Sequence, residues 1–145
     1  WGYSDRGVLT GPYCIIYGVG ALLLVVCLRR LQHTPIRIGP VSITPVLVFL
    51  GIVALTTALE LAGSYIMEAA TGSWMWDYRR FPFNFQGRVA LNPSLRFGVG
   101  GMVFLYVLQP LFERLTDRMS PRLLSQVTGV LLFLFVTDVV HFLLT

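Results

Sequence analysis

An all-α, polytopic integral membrane helix bundle is the fold class this sequence predicts, from its composition, the blocking of its apolar residues and the length of those blocks. Of 145 residues, 55% are hydrophobic and 12% charged, about half the charged share of a soluble domain. The apolar residues gather in blocks separated by short polar stretches, unlike the spread of a soluble amphipathic fold. A helix needs about 20 apolar residues to cross a hydrocarbon core of about 30 Å. Four blocks qualify as spans, running from about Tyr13 to Leu28, Pro45 to Ala70, Ser94 to Leu111 and Leu123 to Leu144. Together they make one transmembrane helical domain over residues 1–145.

The first block carries both cysteines, Cys14 and Cys27, which a helix would hold about 20 Å apart. They are too distant to bond within one helix and lack metal-ligand spacing, so both read as buried, small apolar residues. The net charge is +4, and all eleven basic residues are arginine. They lie mainly in the connections and form no continuous stripe, so membrane lipid is the expected partner and nucleic acid is not. With no lysine in the sequence there is neither a Schiff-base lysine nor a Walker P-loop. Arg29, Arg30 and Arg37 follow the first block and Arg114, Arg118 and Arg122 the third, against Arg6, Arg79, Arg80 and Arg88 on the other side. The positive-inside rule then makes the 29–37 loop cytoplasmic.

The second block carries Thr56, Thr57, Glu60, Ser64 and Glu68 in an otherwise apolar run. At 100° per residue these occupy one sector, and lipid cannot satisfy a polar sector, so it faces other helices or a wet cavity. Glycines at 18 and 20 in the first block, and at 98, 100 and 101 in the third, allow close helix approach. In the fourth block Asp138 and His141 share a face at i, i+3, beside Thr137. They lack the third ligand that a metal requires.

Between the second and third blocks, residues 74–88 form the densest cluster of aromatics and charges. Pro82 and Gly87 predict an irregular connection there instead of a continuous helix. Interfacial belts account for its Trp, Tyr and Phe residues. They leave Asp77, Asn84 and Arg88 unexplained. These three, with Glu60, Trp76 and Tyr78, are the expected ligand-binding set, and Glu60, Asp77, Asn84 and Arg88 are expected to converge on a polar pocket near one interface.

At this connection the chain resembles the family of small bacterial membrane proteins called Putative ABC-transporter type IV, or CmpB-like. The resemblance rests on Arg6-Gly7, Gly11-Pro12-Tyr13-Cys14 with Tyr17-Gly18, Thr57 to Glu60, Trp76-Asp77-Tyr78, Phe83-Asn84, Gly87-Arg88, Pro110 and Glu113-Arg114. It extends from Arg6 to near Leu115, with Gln86 where Asn is usual and Val89-Ala90 where Ile-Cys is usual. It implies a further helix before Arg6, giving five spans, and a transport role beside a separate ATPase or other membrane subunit.

The residues themselves leave three readings open. A permease or transport-accessory component, multi-pass in the plasma (inner) membrane, would hold a small polar or amphipathic ligand and would need a homo-oligomer or larger partner to enclose a path. An intramembrane lipid-modifying enzyme would use a carboxylate as base and Arg88 to hold an anionic headgroup, but no paired nucleophile and base names a reaction. A regulatory or assembly subunit would use Asp77, Arg88 and Glu60 only in ion pairs and caps. No cofactor or metal is called for by any of the three.

Overall fold

A computed structural model describes residues 15–74 and 76–144, the side chains of Ile15, Phe142 and Leu143 apart. The Arg6-Gly7 and Gly11-to-Cys14 motifs, the Tyr13 start of the first expected span, and Met75 lie outside the described residues.

The first helix, α1, runs Ile15–Gln32, a turn beyond the expected end at Leu28. Arg29 and Arg30 form its last turn, where cations complement the exposed carbonyls and let the helix continue. Its buried stripe is narrow, consisting of Leu24 and Leu28 at i, i+4. Cys27 flanks that stripe and is exposed, which corrects the expectation of a buried cysteine. A short ribbon follows, with β1 (Arg37–Ile38) paired antiparallel to β2 (Val41–Ser42).

Helix α2 spans Thr44–Thr71, with proline in its first turn and Gly72 at φ 77° ending it. Pro45 suits a position where no helical partner exists for its missing N–H. Thr44 Oγ1 accepts the Ile36 N–H at 2.8 Å and donates to the Thr34 carbonyl at 2.8 Å, tying the preceding ribbon to the helix start. At 1.5 Å per residue, 28 residues make a helix of about 42 Å, roughly 12 Å longer than a hydrocarbon core.

Helix α3 (Leu91–Val103) continues into a π-turn at Phe104–Leu108 and then α4 (Gln109–Asp117). Pro110 lacks the N–H that would serve the carbonyls four and five residues back, and widening of the helix accompanies that loss. Gln32 Nε2 donates to the Leu105 carbonyl at 2.9 Å, a partner outside the helix for one of those groups. Leu24, Leu28, Val48, Ile52 and Leu105 form the core shared by α1, α2 and this stretch.

Gly98 and Gly101 bring α3 against α2. A Cβ on Gly98 would lie 2.7 Å from both Phe49 and Val53, and one on Gly101 would lie 2.4 Å from Ile52. Gly18 and Gly100 have open space around them, so the expectation of close approach does not extend to them. Residues Ile16–Leu108 make one compact unit, and residues 109–144, with α4 and α5 (Pro121–Leu144), belong to a second.

Among the described residues, three helices are long and apolar enough to cross a membrane: Thr44–Thr71, Leu91–Asp117 and Pro121–His141. Their outer surfaces carry large hydrophobic side chains such as Val46, Leu50, Ile66, Val99, Leu131 and Phe133. Such surfaces are stable in lipid and not in water.

Candidate functional site

The polar sector of α2 faces inward as its periodicity predicts. Glu60 is 7% exposed and Ser64 is fully buried, while Thr56, Thr57 and Glu68 are half-buried. Thr56 satisfies its hydroxyl on the Ile52 carbonyl of its own helix at 2.8 Å. Thr57 reaches across to α3, donating to Ser94 Oγ at 2.8 Å.

The 72–90 connection closes over this sector. It ends in a ribbon, with β3 (Asn84–Phe85) antiparallel to β4 (Val89–Ala90). Its tight bend places Phe83 at φ 54°, Gln86 at φ 53° and Gly87 at φ 71°. A side chain tolerates the left-handed region poorly, and glycine best. Asn84 stitches the bend: its Nδ2 donates to the Phe81 carbonyl at 2.7 Å, and its Oδ1 accepts the Gly87 N–H at 3.0 Å. Trp76 Nε1 donates to the Arg88 carbonyl at 2.7 Å, and Tyr65 OH donates to Gln86 Oε1 at 3.0 Å.

Arg88, in the turn immediately before β4, is 6% exposed. Its guanidinium lies between two aromatic faces, 4.2 Å from the Tyr65 centroid and 4.1 Å from that of Trp74. Nη1 donates to Ser64 Oγ at 3.4 Å, and Nη2 forms an ion pair with Glu68 Oε2. Nε is buried and has no partner. An arginine at this depth is tolerated because its charge is paired and its flat faces are covered.

Glu60 belongs to a neighbouring contact. Tyr78 OH donates to its Oε1 at 2.9 Å, whereas its Oε2 is buried without a partner. Burial, and then the bond to Glu60, raise the Tyr78 phenol above its usual range. A raised phenol stabilises the fold fully below the unfolded value of about 10, and that contribution is lost as pH rises beyond it. Thermal melts of the detergent-solubilised protein should therefore fall more steeply above about pH 10 than those of Tyr78→Phe. Parallel curves would show that the phenol is not coupled to folding.

The six expected site residues fall in four places. Arg88 and Trp76 meet through the Arg88 backbone, and Glu60 meets Tyr78. Asp77 turns outward and pairs with Arg79, Nε to Oδ1 at 3.0 Å, so its ion pair is with Arg79 and not with Arg88. The Arg79 backbone N–H and side chain hold the Asp77 carboxyl below its ordinary range. Asn84 is exposed and committed to the bend. The unforeseen partners of Arg88 are Glu68, Ser64, Tyr65 and Trp74. Ser64 and Glu68 at i, i+4 were visible in the polar sector, but no local spacing ties them to an arginine twenty or more residues later.

An open groove of about 700 Å³ runs along α2 beneath the ribbon and the start of α3. Leu50, Ala54, Leu61 and Val89 give it apolar walls, and Thr57, Ser94 and Asn84 are its polar members. The face carrying Leu50, Ala54, Thr57 and Leu61 continues at helical spacing to Ser64, Tyr65 and Glu68. The groove thus points along α2 toward the Arg88 cluster.

A family model described as Putative ABC-transporter type IV matches residues 2–143 of the chain. No curated protein and no solved structure matches it.

Proposed function

Because the chain belongs to the Putative ABC-transporter type IV family, we propose that it serves as a permease or transport-accessory component working with a separate ATPase or other membrane subunit. Within this sequence there is no lysine, and a Walker P-loop requires one, so a partner supplies nucleotide hydrolysis. In this reading α1 is the fourth span of a single domain over residues 1–145. It lies in the plasma (inner) membrane of a bacterial cell with the 29–37 loop cytoplasmic. Homo-oligomers or the partner complete the walls that four helices cannot enclose alone.

The groove is the observation that carries this reading. It is apolar along α2 and polar at Thr57, Ser94 and Asn84, which suits a small amphipathic ligand better than a fully polar solute. Glu60, Tyr78, Trp76 and Arg88 form the polar wall toward which it points, and Asp77 supports that wall by fixing Arg79 against Gly87.

Ala58 lines the groove and is exposed, so Ala58→Trp fills the space without entering the core. Native mass spectra of the purified protein should show a retained amphiphile that Ala58→Trp lacks, with melting temperature unchanged. Equal retention by both proteins would remove the groove as the binding place.

A further inference from the structure

We infer that Arg88 is a receptor for the oxyanion head of an amphiphile, a carboxylate or phosphate that displaces Glu68 while a tail lies in the groove. The tail's place rests on the groove reading above. The head's place rests on the guanidinium.

A guanidinium offers its most selective hydrogen bonding along the Nε–Nη2 edge, where two parallel N–H groups match two oxygens of a carboxylate or phosphate. Around the rest of the Arg88 group, the Tyr65 and Trp74 rings lie against the guanidinium, and Ser64 accepts one Nη1 N–H. The bidentate edge is half used: Glu68 reaches Nη2 with one oxygen, and Nε is buried with no acceptor. An ion pair serving only the fold would gain by filling both positions, since a buried N–H left unpaired is costly. The rigid aromatic slot fixes the direction in which that edge points, so the vacant donor is preorganised for an incoming second oxygen.

Glu68 is the movable member of the pair. Its side chain is 39% exposed against 8% for Arg88, and it lies in the last turn of α2, where Ala69, Ala70 and Thr71 are exposed. Rotating it outward hydrates the carboxylate and opens the edge without disturbing the stack. Ser64, Tyr65 and Glu68 continue at helical spacing the α2 face that carries Leu50, Ala54, Thr57 and Leu61 of the groove, so a head on Arg88 has its tail directed along that face. Glu60 accepts from Tyr78 through Oε1, whereas the carboxylate paired with the guanidinium is that of Glu68.

Isothermal titration of the full chain in dodecylmaltoside with laurate, dodecyl phosphate and dodecanol tests this. Both anions should bind about tenfold more tightly than the alcohol, a difference of one charge-assisted contact. Glu68→Gln removes the resident anion and should tighten both anions about tenfold further while leaving dodecanol unchanged. Arg88→Lys, which keeps charge but loses the fork, should abolish the preference.

Anions and alcohol binding alike, or Glu68→Gln leaving anion affinity unchanged or weaker, would overturn the inference and leave the groove reading standing. Failure of all three probes would remove both. Competition by phosphatidate stronger than by laurate identifies a bilayer lipid as the source of the head, and the reverse identifies a free single-chain anion.

Discussion

Replacing Arg88 with methionine should lower the stability of the detergent-solubilised protein by about 3 kcal/mol, the lower end of the cost of breaking a buried ion pair. The lower end applies because Glu68 is 39% exposed and can recover some hydration. Loss of the two aromatic contacts, each on the order of 0.5–1 kcal/mol, is part of that figure. Glu68→Gln should cost less, because the amide oxygen still accepts from Nη2 and the cation stays between Tyr65 and Trp74. The double variant Arg88→Met/Glu68→Gln should be more stable than the sum of the singles predicts, by about 1 kcal/mol or more. Additive costs in chemical denaturation would mean that the pair contributes nothing to the fold. Arg88→Lys should recover little, since an ammonium neither fills the aromatic slot nor spans both acceptors.

The inward sector of α2 was legible in the sequence because membrane depth makes periodicity decisive: Glu60 and Ser64 cannot face lipid, and 100° per residue puts them on one side. The aromatic connection was legible as non-helical through Pro82 and Gly87. Pairing was not legible. Asp77 and Arg88 were natural partners by charge, yet Asp77 has Arg79 two residues away and closes a local loop onto it at the surface, which costs little chain entropy. Arg88 instead crosses to Glu68, a choice fixed by the left-handed bend at Phe83, Gln86 and Gly87, and no residue-type preference announces such a bend at Phe or Gln. The π-turn has a visible trigger in Pro110, but the capture of the Leu105 carbonyl by Gln32 depends on where α1 ends, and α1 outran its apolar block by a turn.

Gly101→Val should be the most damaging single change in the α2–α3 contact, costing about 3 kcal/mol or more through overpacking. The nearest atom to the new Cβ would be Ile52 Cγ2 at 2.4 Å, with Leu24 Cδ1 at 3.3 Å behind it. Ile52 is fully buried and β-branched, so its χ1 has little freedom to turn away. The helices must therefore separate, which also loosens Leu105 and Leu28 in the same core. Gly100→Ala is the matched control. Its Cβ would meet nothing within 4 Å, and alanine is favoured over glycine in a helix by about 1 kcal/mol, so that variant should melt at or above the wild-type temperature. Trimming the obstacle in Gly101→Ala/Ile52→Ala should restore part of the loss, limited by the cavity that the smaller residue leaves. Equal destabilisation at positions 100 and 101 would show that backbone flexibility, and not the approach of α3 to α2, is what the glycines provide.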